Sequence, residues 1–358
     1  MRIGIDAREL AGHPTGVGRY LGALVREWAS GEYAQRHEFV LYSPDVLDVA
    51  LDNRRFTRRQ VPGFPGTYWE QVRLPHVAKD DHLDLFFAPA YTAPLLLKVP
   101  TVVTIHDLSF EAHPEWFRLR EGARRRLITR HSARRAAAVI TDSEFSRKEV
   151  VDRLALPAGR VTVIRPGIDP PQAKADPDAG PRLLYVGSIF NRRHIPELLR
   201  AFAALVRLHP DASLDIVGSN RTHPHENIAA AIEHAGLTGH VRLQQYAQEA
   251  QLRELYARAR AFVFLSEYEG FGMTPLEALA AGVPPVVGDT AVARETCGDA
   301  ALFVPWDDVR AITRALELAL FDEPTRRRIL DAAPAALAPF SWARAARETL
   351  SVLESAVR

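Results

Sequence analysis

Residues 261–280 read AFVFLSEYEGFGMTPLEALA. The opening run, Ala261–Leu265, is apolar and suits a buried strand. Gly270 and Gly272 then free the backbone for a sharp turn. Thr274 suits an N-cap, Pro275 the first helical position, and Glu277 lies three residues beyond that cap. Leu276, Leu279 and Ala280 continue an apolar helical face. A buried strand, a glycine turn and a helix in direct succession form the unit of a parallel α/β sheet.

The same alternation runs along the whole chain. In the first half the expected strands are Ile3–Ile5, Phe39–Tyr42, Leu83–Phe87, Thr101–Ile105, Val139–Thr141 and Val161–Ile164. In the second half they are Leu183–Val186, Leu214–Val217, Val241–Leu243, Ala261–Leu265, Pro285–Val287 and Leu302–Val304. Helical stripes lie between them: Val17, Leu21, Leu24, Val25 and Trp28 fall on one helix face. The pattern restarts after PPQAKADPDAGP, residues 170–181, which lacks apolar periodicity and reads as a linker. The chain is therefore expected to be α/β, with two doubly wound Rossmann-like domains facing across a cleft. They would cover residues 1–169 and 182–340, with a C-terminal helix over 341–358 packing back on the N-terminal domain. In such sheets ligands bind beyond the carboxyl ends of the strands.

Bulk properties narrow the function. The 358 residues are 47% hydrophobic and 25% charged, a soluble globular composition with a net charge of +1. That balance gives no overall pull toward nucleic acid or membrane. Cys297 is the single cysteine, which excludes an intrachain disulfide and a thiolate metal cage and fits a reducing cytoplasm. The N-terminus has no apolar signal core, and no run of about 18 apolar residues is present.

The loop in residues 266–277 carries the chemistry. A helix N-terminus after a glycine turn offers unpaired N–H groups and the positive end of a dipole, so it can hold a phosphate. Glu269 precedes the glycines. A carboxylate there repels phosphate and accepts hydrogen bonds from neutral hydroxyls instead. Phosphate beside polyol is the chemistry of a sugar nucleotide. Two readings of Glu277 stand: the second half of a capping box with Thr274, or an acceptor for ribose hydroxyls.

These residues carry a resemblance. Glu269 and Glu277, with seven residues between them, resemble the E-x7-E signature of the family 4 glycosyltransferases, which have the GT-B fold. GIDAREL and TGVGRYL near the N-terminus are similar to that family's opening strand and glycine loop. WEQVRLP (Trp69–Pro75), FAPAYTAP (Phe87–Pro94), TIHDLSFEAHPEWF (Thr104–Phe117), TDSEFSRKEV (Thr141–Val150), YVGSIFNRRHIPELLRAF (Tyr185–Phe202) and FSWARAARETL (Phe340–Leu350) resemble its mannosyltransferase-like branch.

The resemblance implies a set of roles. Arg192 and Arg193 would neutralise the diphosphate with Gly270, Phe271, Gly272, Met273 and Thr274 around it; the common family form is Arg-Lys. Ser188 stands where many members carry an arginine. Glu269 would orient the donor sugar. Gly16 and Gly18 would approach the donor phosphate and the acceptor; read alone, they are a helix entry, since no G-x-G-x-x-G follows. His106, with Asp107 at the end of an expected strand, would touch the sugar near its reacting carbon. Tyr246 and Glu249 would meet the nucleobase.

Other features read as background. Asp176-Pro-Asp178 is a literal D-x-D, but it lies in the linker, and the resemblance implies a metal-independent enzyme with no cofactor. His223 and His225 lie in an expected loop. Residues 117–135, FRLREGARRRLITRHSARR, hold eight arginines against one glutamate. They form either a solvated face or a surface, Arg118–Arg135, that meets the cytoplasmic membrane face. The implied activity is retaining transfer of a hexose, mannose from GDP-mannose, to a glycan or lipid-linked glycan acceptor in the cytoplasm. A nucleotide-sugar epimerase of the same fold and a non-catalytic nucleotide-sugar-binding protein are the alternatives.

Overall fold

The computed structural model describes residues 1–12, 16–47, 51, 54–169, 176 and 180–357. They form two compact units, Met1–Gly167 with Phe340–Arg358, and Ile168–Pro339. Most of the expected linker over 170–181, including Pro177 and Asp178 of the D-x-D, lies outside the described residues.

The first unit runs β1 (Arg2–Asp6), α1 (Gly16–Ser30), β2 (Glu38–Ser43), β3 (Phe56–Gln60), α2 (Leu74–Ala78), β4 (Leu85–Ala88), β5 (Thr101–Thr104), α3 (Ser109–Ala112), α4 (Leu119–Arg135), β6 (Ala138–Thr141), α5 (Glu144–Leu154) and β7 (Val161–Val163). All strand pairs are parallel, in the order β3-β2-β1-β4-β5-β6-β7. The central strands are buried on both faces, so they read as unbroken apolar runs such as LFFA in β4. The stripe expected on α1 is buried at Leu21, Leu24, Val25 and Trp28.

Strand β3 has no such signature. Its sequence, FTRRQ, is exposed beyond Phe56, and it pairs only with β2 at the sheet edge. Edge strands are commonly charged because an apolar edge would recruit other chains. Apolar patterning therefore missed it.

The second unit runs β8 (Arg182–Val186), α6 (Ile195–Leu208), β9 (Ser213–Val217), α7 (Ile228–His234), β10 (Val241–Gln244), α8 (Glu249–Arg258), β11 (Ala261–Phe264), α9 (Met273–Ala280), β12 (Pro285–Gly288), α10 (Ala291–Cys297), β13 (Leu302–Val304), α11 (Val309–Phe321) and α12 (Glu323–Leu337). Its sheet is again parallel, in the order β10-β9-β8-β11-β12-β13. A final helix, α13 (Trp342–Ser355), belongs to the first unit. There Trp28 Nε1 donates to the Ala346 carbonyl at 2.9 Å, and the Trp28 ring stacks on Phe39 with centroids 5.3 Å apart.

Both sheets are doubly wound. From β1 the chain turns to β2 on one side and later fills β4 on the other; from β8 it turns to β9 and later fills β11. Each sheet thus has a switch point, beyond β1 and β4 in the first and beyond β8 and β11 in the second. Loops diverge there and leave room for a ligand. Among the described residues, no helix is long and apolar enough to cross a membrane.

Candidate active site

At the switch point of the second sheet, two loops meet. The loop after β8 carries Gly187, Ser188, Arg192 and Arg193; the loop after β11 carries Ser266, Glu267, Glu269 and the glycines. Arg193 Nη2 lies 3.0 Å from Glu269 Oε1, and both side chains are largely buried. Ser266 Oγ donates to the same carboxylate oxygen at 2.7 Å. The Arg193 guanidinium also lies over the Phe264 ring, 4.5 Å from its centroid, and Arg192 lies 4.4 Å from that of Phe190. Burial opposes the charge on Arg193, but Glu269 and the Tyr185 hydroxyl outweigh it and hold the group above its ordinary value. A cation is thus fixed where the dipole of the adjoining helix α6 would otherwise disfavour it.

Gly187 makes room for this arrangement. Its φ is 149°, and a Cβ there would collide with the Arg193 guanidinium. The two loops are also joined by backbone, Glu267 N–H donating to the Arg192 carbonyl at 3.0 Å. His194 adds a second tie: its Nε2 lies 3.3 Å from Glu267 and its Nδ1 3.7 Å from Glu197. Burial lowers the His194 imidazole, these two carboxylates raise it, and the net shift is upward.

Helix α9 starts earlier than the sequence pattern indicates. Its N-cap is Gly272, at φ 85° and ψ 66°, a left-handed conformation that favours glycine. Met273 is therefore the first helical residue, and Thr274 lies inside the helix. The Thr274–Glu277 capping box is not formed. Thr274 Oγ1 is buried without a hydrogen-bond partner among the described residues, and Glu277 is buried within the helix. The free end of α9, at Gly272 and Met273, still presents backbone N–H groups after a turn, which suits an anion. Gly270 and the buried Phe271 form that turn.

Other expected site residues lie on other elements. Tyr246 and Glu249 are exposed beyond β10, two strands from the switch point. Gly16 and Gly18 open α1, as the helix-entry reading has it, with Gly16 exposed and Gly18 buried in its first turn. His106 follows β5. Its Nδ1 lies 2.6 Å from Asp142 Oδ2 and its Nε2 2.8 Å from the Pro89 carbonyl. Acceptors at both nitrogens favour a ring that carries a proton on each. Burial opposes that charge and Asp142 more than restores it. Both ring nitrogens of His106 thus face acceptors of its own unit, and Asp142 favours the charged form.

The switch point of the first sheet holds a network that sequence reading did not single out. Arg8 Nη2 bridges Asp6 Oδ2 at 2.6 Å and Glu70 Oε1 at 2.9 Å, with Thr92 Oγ1 donating to Glu70 at 2.6 Å. Burial pushes Asp6 up to about 6, against the pull of Arg8. The signal was D-A-R at the end of the first strand. Cys297, by contrast, is a buried packing residue whose thiol burial raises to about 11.

Known proteins resemble this chain along nearly its whole length. The family model described as "Glycosyltransferase Family 4" matches residues 14–172, and that described as "Glycosyl transferases group 1" matches 170–335. The O-antigen chain mannosyltransferase B of Escherichia coli is 27% identical over 94% of this chain and 95% of its own. The GDP-mannose:cellobiosyl-diphosphopolyprenol alpha-mannosyltransferase of Xanthomonas oryzae is 30% identical over 62% of this chain and 57% of its own. Among solved structures, the sucrose-phosphate synthase of Thermosynechococcus elongatus superposes with a TM-score of 0.79 at 20% identity, covering 99% of this chain and 98% of that one.

Proposed function

The chain belongs to the family 4 glycosyltransferases, and on that premise we propose that it transfers mannose from GDP-mannose to a glycan or lipid-linked glycan, with retention at the anomeric carbon. It is a hexosyltransferase of the α/β GT-B fold. The observation that carries the proposal is the Arg193–Glu269 pair at the second switch point. Mannose and its GDP carrier are favoured by the relatives whose names contain them.

In the proposed reaction the bond from the sugar's anomeric carbon to the diphosphate oxygen breaks, and the acceptor oxygen bonds that carbon on the same face. The acceptor proton passes to the departing phosphate. Arg193, Arg192 and the N–H groups at Gly272 and Met273 oppose the charge growing on the diphosphate. Glu269, held in place by Ser266 and Arg193, accepts hydrogen bonds from sugar hydroxyls. Glu277 accepts from the ribose. No metal or other cofactor takes part, and the enzyme works at the cytoplasmic face of the membrane.

The test is incubation with GDP-mannose and a lipid-linked glycan extract. Acceptor-dependent GDP release, an acceptor mass gain of one hexose and an α-linked product support the reading. Free sugar epimer formed without acceptor would replace it with an epimerase. Binding without turnover would leave only a nucleotide-sugar-binding protein.

A further inference from the structure

We infer that Asn191 is a positioning residue for the arginine pair: it clasps the turn that carries Arg192 and Arg193 to the loop that follows β9. The inference rests on the proposed diphosphate site and deepens it, since Asn191 acts through the arginines. That turn needs an outside hold. Adjacent guanidiniums repel each other, and the start of α6 disfavours cations further. On the side of β11 the hold is the Glu267 N–H, which donates to the Arg192 carbonyl. On the side of β9, Gly187 N–H donates to the Val217 carbonyl at 2.9 Å and Ile189 N–H to the Ser219 carbonyl at 2.8 Å. Arg221 N–H returns to the Ile189 carbonyl at 2.7 Å. These bonds carry the β8–β9 pairing past the strand ends as far as the bridge between Ile189 and Asn220.

Beyond that bridge the Asn191 side chain takes over. Its Nδ2 donates to the Pro224 carbonyl at 3.1 Å and to Glu226 Oε1 at 2.7 Å, and its Oδ1 accepts from the His223 N–H at 2.5 Å. Both donor hydrogens and the acceptor oxygen of the amide are thus engaged, all by the β9 loop. That loop is closed on itself. Asn220 Nδ2 donates to the Glu226 carbonyl at 2.8 Å, while Thr222 Oγ1 donates to Asn220 Oδ1 and accepts from the Glu226 N–H, each at 2.8 Å. Residues 219–226 bring no apolar side chain to the core, and His223, Pro224 and His225 are exposed. The order of this loop therefore comes from its polar contacts. The grip reaches the arginines through Phe190. Its ring centroid lies 4.4 Å from the Arg192 guanidinium carbon and 5.6 Å from that of Arg193. A shift of residue 191 therefore moves the ring and both cations together. The segment THPHEN, background in the sequence, is part of the frame of the site.

The test uses three variants of the full chain: Asn191→Ala, Asn191→Asp, and Asn191→Asp combined with Glu226→Gln. The first removes the clasp. The second keeps an acceptor for the His223 N–H but sets a carboxylate against Glu226. The third restores a donor and an acceptor across that contact with their roles exchanged. Hydrogen exchange of the free chain is read first. The amides of Ile189, Arg193 and Arg221 should exchange about tenfold faster in both single variants and recover in the double variant, while those of β12 stay unchanged. Calorimetry is read second. GDP should bind about tenfold more weakly to the single variants and recover in the double variant, whereas guanosine, which has no phosphate, should bind all of them alike. Unchanged exchange or unchanged GDP affinity in both single variants would overturn the inference. So would equal weakening of guanosine and GDP, or a double variant as impaired as Asn191→Asp. A wild-type chain that ignores GDP would remove the proposed donor instead; exchange and titration with inorganic pyrophosphate then decide the clasp by the same criteria.

Discussion

Arg193→Ala and Glu269→Gln should move nucleotide affinity in opposite directions. In the proposed site Arg193 meets the diphosphate, and a charge-assisted hydrogen bond of this kind contributes about 1.5–3 kcal/mol. Its removal should weaken GDP binding about 10- to 150-fold. Glu269 is different. It lies 3.0 Å from Arg193 and so offsets the cation that the diphosphate needs. Glutamine keeps the shape, accepts from both Arg193 and Ser266, and removes only the negative charge. GDP should therefore bind Glu269→Gln at least as tightly as wild type. Transfer should still fall, because the sugar hydroxyls lose a charged acceptor, again about 1.5–3 kcal/mol or 10- to 150-fold in turnover. Calorimetric titration with GDP and initial-rate kinetics on both variants separate the two effects. Equal weakening of GDP by both substitutions would refute the reasoning, since the pair would then act only as a structural brace.

Further outcomes test the surrounding geometry. His194 has a raised folded value, so its tie to Glu267 is complete below about pH 6.5 and is lost as pH climbs through that raised value. Turnover and GDP affinity should fall together on the alkaline side, and His194→Asn, which tolerates the left-handed backbone at this position (φ 50°), should remove that limb; an unchanged profile would contradict the tie. Gly187→Ala sets a methyl against the Arg193 guanidinium and should cost about 1–3 kcal/mol, seen as weaker GDP binding, and unaltered affinity would disprove the contact. Trp28→Phe removes the bond that holds α13 and should cost about 1 kcal/mol, a drop of about 2–4 °C in thermal midpoint. EDTA should leave transfer intact; loss reversed by added magnesium would point to metal chemistry.

What the sequence revealed follows the physics of each element. Parallel strands buried on both faces are continuous apolar runs, so AFVF and LFFA announce themselves. Strand β3 does not, because its edge position puts arginines in water. The Thr274–Glu277 pattern is a local signal, and the left-handed turn at Gly272 overrides it. Long-range pairing lies beyond local pattern altogether. Arg193 and Glu269 meet because β8 and β11 are neighbours, which strand order alone decides. His106 was legible as a strand-end residue, but not its saturation by Asp142, which is 36 positions away.

Titration of the wild-type chain with GDP, UDP, dTDP and ADP, with and without magnesium, tests the central claim most directly. The account predicts that GDP binds selectively without metal and that Arg193→Ala weakens it. Binding by none of the four, or GDP binding indifferent to Arg193, would contradict a diphosphate site at the β8 and β11 loops.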